Sequence, residues 1–244
     1  QFPDLKFDYI LANPPFNISD WGGEKHENDA RWKYGRPSVG NANYAWLQHI
    51  LWKLSPIGNA GIVLANGSLS SSTIDESKIR EEIVKNDLVE VMIALPEKLF
   101  LNTGIPCCLW FLTNDKTKKG RNRSEETLFI DARDLGFMEK KNLRVFLNKD
   151  ISKIADTVSS WRNGKDYKDI AGYCKSSNLN EIKKNNFILT PGRYVGYESE
   201  EKDKSSFKEK FSKIKFKLED LLEKNKNIET KLKNDLGKII SNDN

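Results

Sequence analysis

Short apolar runs alternate along the chain with stretches of helical spacing, and most runs stop at proline, glycine or asparagine. Phe7-Asp8-Tyr9-Ile10-Leu11-Ala12 reads as a buried strand that halts at Asn13-Pro14-Pro15-Phe16. Two successive prolines can neither continue a ladder nor enter a helix interior. Pro14 also holds Asn13 extended, so the strand ends there. Tyr44 to Leu54 carries apolar residues at helical spacing, ended by Pro56 and Gly58. Gly61 to Asn66 reads as a short buried strand, followed by a Ser-rich loop. Asp75 then reads as the cap of a helix running to about Lys85. Leu88 to Leu95 is a further strand stopped by Pro96, and Ile105 to Thr113 another, with Leu128 to Asp131 beside it. This alternation predicts an α/β fold with an open sheet whose ligands bind at the carboxyl ends of the strands. Asn13 lies at such an end.

Two segments break the pattern. Residues 17–41 are rich in Gly, Asn and charge, with Trp21, Trp32 and Tyr34 scattered among them and no periodicity. Loops of that length are commonly functional or mobile. Placed just after Phe16, this one could close over a bound base or touch phosphates through Lys33 and Arg36. The alternative is a flexible insertion without contacts. From about Ser199 the chain becomes Lys/Glu-rich, and apolar residues recur at Phe207, Phe211, Ile214, Leu218, Leu221, Ile228, Leu232 and Ile239. The steps alternate four and three, with Asn225 and Asp235 in the skipped slots. This heptad seam predicts a helix that wants a second helix against it.

Composition narrows the class. The 244 residues are 38% hydrophobic and 31% charged, which suits a globular body with a polar region attached. Net charge is +5, a mild bias towards a polyanionic partner that lysine-rich helices produce equally well. Cys107, Cys108 and Cys174 make no disulfide framework, and Cys107-Cys108 sits in an apolar run that suits strand packing. His26 and His49 are too few for a ligand cluster, and His49 reads as an ordinary helix residue. No stretch is long enough to span a membrane and no signal peptide is seen, so the expected setting is the reducing cytoplasm.

The chemistry gathers at Asn13 to Phe16. The exocyclic amine of adenine is a poor nucleophile, because its lone pair is delocalised into the ring. The Asn13 side-chain oxygen can accept one of its N–H bonds, and the Pro14 carbonyl, held by a rigid φ, can accept the other. Two acceptors on one NH2 pull the nitrogen towards a tetrahedral shape and localise the lone pair. Phe16 can stack on a base extruded from the duplex, worth about 1–3 kcal/mol. The bland alternative is a strand followed by a Pro-Pro turn and a buried Phe.

Asn13-Pro14-Pro15-Phe16 behind an apolar strand resembles the fourth motif of the amino-methyltransferase superfamily. The Phe variant is most similar to the modification subunit of type I restriction-modification systems. The resemblance continues through Tyr44 to His49, Gly61 to Gly67, Ile79-Arg80, Leu95-Pro96, Leu99-Phe100, Asn102-Thr103-Gly104-Ile105-Pro106, Phe129 to Arg133, Glu181-Ile182, Asn186, Pro191 and Arg193-Tyr194. Ala65-Asn66 departs from the Leu-Pro common in the family.

The resemblance implies the carboxyl-side part of a Rossmann-like sheet of an S-adenosylmethionine-dependent methyltransferase, followed by a helical, coiled-coil-like tail. It further implies a DNA adenine N6-methyltransferase with Asn13, Pro14, Pro15 and Phe16 catalytic. Asn102-Thr103-Gly104 would be structural or near the site, and Asp131 with Arg133 a salt-bridged strand end. No two glycines stand two residues apart, so the glycine-rich turn of a cofactor site is absent. Most of the S-adenosylmethionine site is therefore expected upstream of Gln1. The expected organisation is a partial catalytic domain over 1–175, a connection over 176–199 and a helical tail over 200–244. The implied partners are DNA, a specificity subunit bound through 200–244 and a restriction subunit. Two other readings stay open: methylation of RNA guanine or protein glutamine by the same local chemistry, and a non-catalytic assembly module.

Overall fold

The computed structural model describes residues 2, 4–101, 103–197 and 207–241, with side chains omitted at 207–210, 213, 231 and 233–241. Gln1, Asn102 and Ser199, and the seam side chains of Phe207, Asp235 and Ile239, lie outside the described residues. The chain divides into two units, Gln1–Glu198 and Ser199–Asn244.

The first unit is built on a six-stranded mixed sheet. In chain order its strands are β1 (Phe7–Ala12), β2 (Leu54–Ala65), β3 (Val89–Ala94), β4 (Cys107–Thr113) and β5 (Glu126–Asp131). A separate hairpin follows, β6 (Phe137–Lys140) with β7 (Leu143–Val145), and β8 (Cys174–Asn178) completes the sheet. The sheet order is β1-β2-β4-β3-β5-β8. β1 with β2 and β3 with β5 run parallel, while β4 and β8 run antiparallel to their neighbours. The carboxyl ends of β1, β2, β3 and β5 therefore share one edge of the sheet with the start of β4.

One face is covered by α1 (Asn43–Lys53) and α3 (Ile74–Lys85), the other by α4 (Asn148–Asn163). Tyr44, Leu47, Ile79 and Ile83 close the first core over Ile62, Leu64, Met92 and Trp110. Trp161 closes the second over Val91, Ile93, Leu128 and Ile130. Each large apolar side chain so buried contributes roughly 1.5–3 kcal/mol. Both tryptophans keep their N–H satisfied: Trp110 donates to Ser68 Oγ at 3.0 Å and Trp161 to Ser176 Oγ at 2.8 Å. The short α2 (Gly67–Ser70) and α5 (Leu179–Lys184) complete the unit.

Several expectations are corrected. β1 is not buried: Tyr9 is 71% and Leu11 87% exposed. It is the sheet's edge strand within the described residues, so only Ile10 and Ala12 pack on the α1 side. β2 begins at Leu54, directly after α1, and is twelve residues long. Pro56 and Gly58 do not end an element. They fall where the register jumps from Phe7↔Leu54 to Tyr9↔Asn59, a bulge that leaves proline without a ladder bond to donate. Thr73, not Asp75, is the cap residue of α3, and Asp75 lies in the first turn. Within 176–199, β8 is a sheet strand, Leu189 and Tyr194 are buried, and the Tyr194 ring stacks on Phe129 at 3.7 Å.

Among the described residues, the second unit is a single helix, α6 (Phe207–Ser241). Its seam residues Phe211, Ile214, Leu218, Leu221, Ile228 and Leu232 are all exposed. Among the described residues no helix is long and apolar enough to cross a membrane.

Candidate functional site

The tip of β1 presents four residues in two alternating environments. Asn13 and Pro15 are exposed, Pro14 is buried and Phe16 half-buried. The parallel pairing of Leu11 with Gly61 and Ala12 with Ile62 carries the strand up to this edge. The two prolines then turn the chain out of the ladder. Phe16 packs against the second core and meets Phe100 edge-to-face, with centroids 5.9 Å apart and planes at 82°. The two rings brace each other in the geometry that aromatic quadrupoles favour. The Asn13 carboxamide has no hydrogen-bond partner among the described residues.

The turn after Phe16 is clamped by residues that the spacing of apolar positions does not reveal. Asn17 has φ +53°, which asparagine tolerates better than most residues. Its backbone N–H donates to Asn43 Oδ1 at 3.2 Å, and Asn43 Nδ2 donates back to Asn17 Oδ1 at 2.8 Å. Asn43 is buried and opens α1. Ala42 N–H bonds the Ile18 carbonyl at 2.9 Å. The available signal was an asparagine at each end of the loop, one following Phe16 and one preceding an apolar helix.

Residues 17–41 are neither a free insertion nor an unattached flap. Trp21 donates to the Ser38 carbonyl and meets Trp32 edge-to-face with centroids 6.0 Å apart. Its ring lies against Gly23, where a Cβ would come within 2.6 Å of the indole. The side chain of Gln48, on α1, accepts from Tyr34 N–H and donates to the Gly35 carbonyl. Arg31 binds Asp29 through Nε and Nη2 at 2.8 and 2.5 Å, which holds the Asp29 carboxyl down at about 2. Arg31 Nη1 also lies 3.0 Å from His49 Nδ1. Arginine can only donate, so Nδ1 accepts and the imidazole is neutral. Burial, then the Arg31 and Lys53 charges, keep the His49 pKa below its ordinary value. Arg36 is paired with Glu27 at 2.6 Å, while Lys33 is exposed.

The other strand ends complete the edge. Asn66 follows β2, donates from its backbone to the Pro106 carbonyl at 3.1 Å, and keeps its Oδ1 buried without a partner. Thr103 bridges Phe100, and its hydroxyl accepts from Ile105 N–H at 3.2 Å. Asp131 and Arg133 form a bidentate ion pair at 2.8 and 2.6 Å, the salt-bridged strand end expected. Gly192 packs so close that a Cβ there would lie 3.1 Å from Arg133 Nη2. Cys107 and Cys108 are buried at the start of β4, and burial pushes their thiols up to about 11 and 12. No group of His, Cys, Asp or Glu able to hold a metal occurs among the described residues.

A model of the N-6 DNA methylase family matches residues 1–203. The chain belongs to this family. It is 48% identical over 237 residues to the type I restriction enzyme HindI methylase subunit of Haemophilus influenzae, covering 97% of this chain and 52% of that protein. It is 36% identical to the MjaIX methylase subunit of Methanocaldococcus jannaschii, covering 96% and 42%. Among solved structures, the type I restriction-modification methyltransferase subunit from Streptococcus thermophilus superposes with a TM-score of 0.67 at 28% identity, over 79% of this chain and 39% of that one. The EcoKI M protein shares the fold, with a TM-score of 0.61 at 15% identity over 81% and 45%. The chain thus spans about half the length of the HindI relative and less of the others.

Methyltransferases of this kind use S-adenosylmethionine. A nucleoside-bearing cofactor on an α/β sheet sits on a glycine-rich strand-to-helix turn. Among the described residues, β1 leads into Pro-Pro, β2 into Asn66 and β3 into Leu95-Pro96, none of which is such a turn.

Proposed function

We propose that this chain supplies the base-gripping edge of a type I DNA adenine N6-methyltransferase subunit. The supporting observation is the pairing at the tip of β1 of an exposed, unpartnered Asn13 carboxamide with a Phe16 ring braced on Phe100. In this reading Asn13 and the Pro14 carbonyl accept the two N–H bonds of the target amine. Pro15 fixes the turn, and one face of Phe16 supports the extruded base. None of the four side chains titrates, so none acts as a base, and the amine proton is lost to solvent after transfer.

The methyl donor, S-adenosylmethionine, is held by polypeptide that the longer relatives possess beyond the matched span. The exposed edge and outer face of β1 are the side on which that polypeptide packs. Choice of DNA sequence belongs to a specificity subunit engaged by α6, with a restriction subunit joining the same assembly. The type I relatives favour DNA over RNA guanine or protein glutamine, which offer the same planar NH2.

The test is Asn13→Ala in the complete enzyme complex. Loss of a preorganised acceptor is expected to lower the methylation rate on the order of 10²–10³-fold, with subunit assembly unchanged. Turnover within a few fold of wild type would overturn the reading. Phe16→Ala is expected to weaken retention of the flipped base by about 1–3 kcal/mol, read with a fluorescent adenine analogue at the target position.

A further inference from the structure

We propose that the β6–β7 hairpin is an arm that contacts the sugar-phosphate backbone of duplex DNA beside the base held at Asn13 to Phe16. This rests on the methyltransferase reading. The hairpin stands apart from the main sheet, and every residue of β6 is exposed. Lys140 pairs with Leu143, so Lys141 and Asn142 form the tip. Lys140 and Lys141 are exposed and make no ion pair among the described residues.

A two-stranded ribbon is marginal on its own, yet this one is fastened at its base. Arg144 N–H donates to the Lys98 carbonyl at 2.8 Å, and Arg144 Nη1 donates to the Leu135 carbonyl at 3.0 Å. Gly136, at φ +76°, brings the chain so near that a Cβ would lie 2.6 Å from the Val145 carbonyl oxygen. Phe146 then anchors in the second core. The base is rigid and the tip projects into solvent.

The attachment also sets where the tip stands. Lys98 Nζ donates to the Lys141 carbonyl at 3.4 Å, which brings a third ammonium to the tip. Lys98 is two residues from Phe100, at most about 7 Å of extended chain, and Phe100 braces Phe16. Along the segments that meet here, 97–98 and 137–145, Lys98, Lys140, Lys141 and Arg144 outnumber Glu97 and Glu139. Lysines act as point charges on phosphates, contacts that set position without reading sequence. A two-stranded ribbon also matches the width of the major groove. Such a contact would hold the duplex while one base is drawn to β1, and it would leave sequence choice to another subunit.

The experiment uses the complete enzyme complex with the double substitution Lys140→Ala and Lys141→Ala, binding cognate and unrelated duplexes across a series of KCl concentrations. Loss of two phosphate contacts is expected to flatten the slope of log K against log salt by about 1.8. Affinity is expected to fall equally on both duplexes. The thermal melt should stay at the wild-type value, and Lys140→Arg with Lys141→Arg should restore the slope. An unchanged slope and affinity in the alanine variant, with methylation intact, overturns the hairpin contact and leaves the methyltransferase reading standing. A wild-type complex that neither binds nor methylates DNA overturns both.

Discussion

Asn43 shows how a single side chain positions a site it never touches. Its carboxamide exchanges two hydrogen bonds with Asn17, the residue immediately after Phe16. A buried hydrogen bond contributes roughly 0.5–1.5 kcal/mol, and an abandoned buried partner costs about 1–3 kcal/mol. Asn43→Ala is therefore expected to destabilise the first unit by about 1–3 kcal/mol and to slow methylation in the complete complex. Asn17→Gly, which keeps the positive φ but loses the side-chain bond, should be milder in both. A thermal melt together with an initial-rate assay checks this, and an Asn43→Ala protein unchanged in both would show the clamp to be idle. Asn13 itself was legible because Pro-Pro follows it, and that pair forces a strand to stop. Asn43 was not, because its partner lies 26 residues away in the chain.

At the scale of elements, the 17–41 loop is joined to α1 by polar contacts whose strength depends on pH. His49 must be neutral to accept from Arg31, and its pKa in the folded protein lies below the ordinary value of 6.5. The unfolded chain therefore takes up this proton first as pH falls. The contribution of His49 to stability is complete above about pH 6.5 and is lost progressively below it. Urea titrations of wild type and His49→Gln from pH 7.5 to 5.5 test this, since glutamine can accept from Arg31 but does not titrate. The stability of wild type relative to the variant should fall across that window. A constant difference would contradict the argument. Periodicity was sufficient to mark α1, β3, β4 and β5 as elements because each buries a continuous apolar face, but it set Leu128 to Asp131 beside β4, whereas β5 pairs with β3 and β8. It could not reveal that residues 17–41 are ordered, since their fixing groups are amides, indoles and guanidinium rather than a periodic stripe. α4 is not among the elements expected from the sequence, although its Ile151, Ile154, Val158 and Trp161 recur at helical spacing, and nothing local to it says which sheet face it covers.

At the scale of the whole molecule, two units differ in how they satisfy their apolar residues. The first buries most of them in two cores, one on each face of its sheet. The second, α6, leaves Leu218 and Leu221 at 55% and 54% exposure, which an isolated helix gains nothing from. If the seam docks a partner helix, as proposed, Leu218→Asp with Leu221→Asp should abolish co-elution with the specificity subunit in size-exclusion chromatography. The thermal melt of the first unit should be unaffected. Retained co-elution would place the interface elsewhere.

The order of apolar runs, the Asn-Pro-Pro-Phe stop and the heptad seam are local facts of covalent geometry and residue spacing, and by themselves they determined the α/β class, the candidate site and the helical tail. Tertiary structure alone decided that β1 is an edge strand with Tyr9 and Leu11 in solvent, because sheet order is a matter of which strands pair across long separations. It alone brought Phe100, 84 positions along the chain, against Phe16. It also decided that a lysine-tipped hairpin is fastened to Lys98, two residues before Phe100. A spacing rule reports which side a residue faces, whereas only packing reports what it faces.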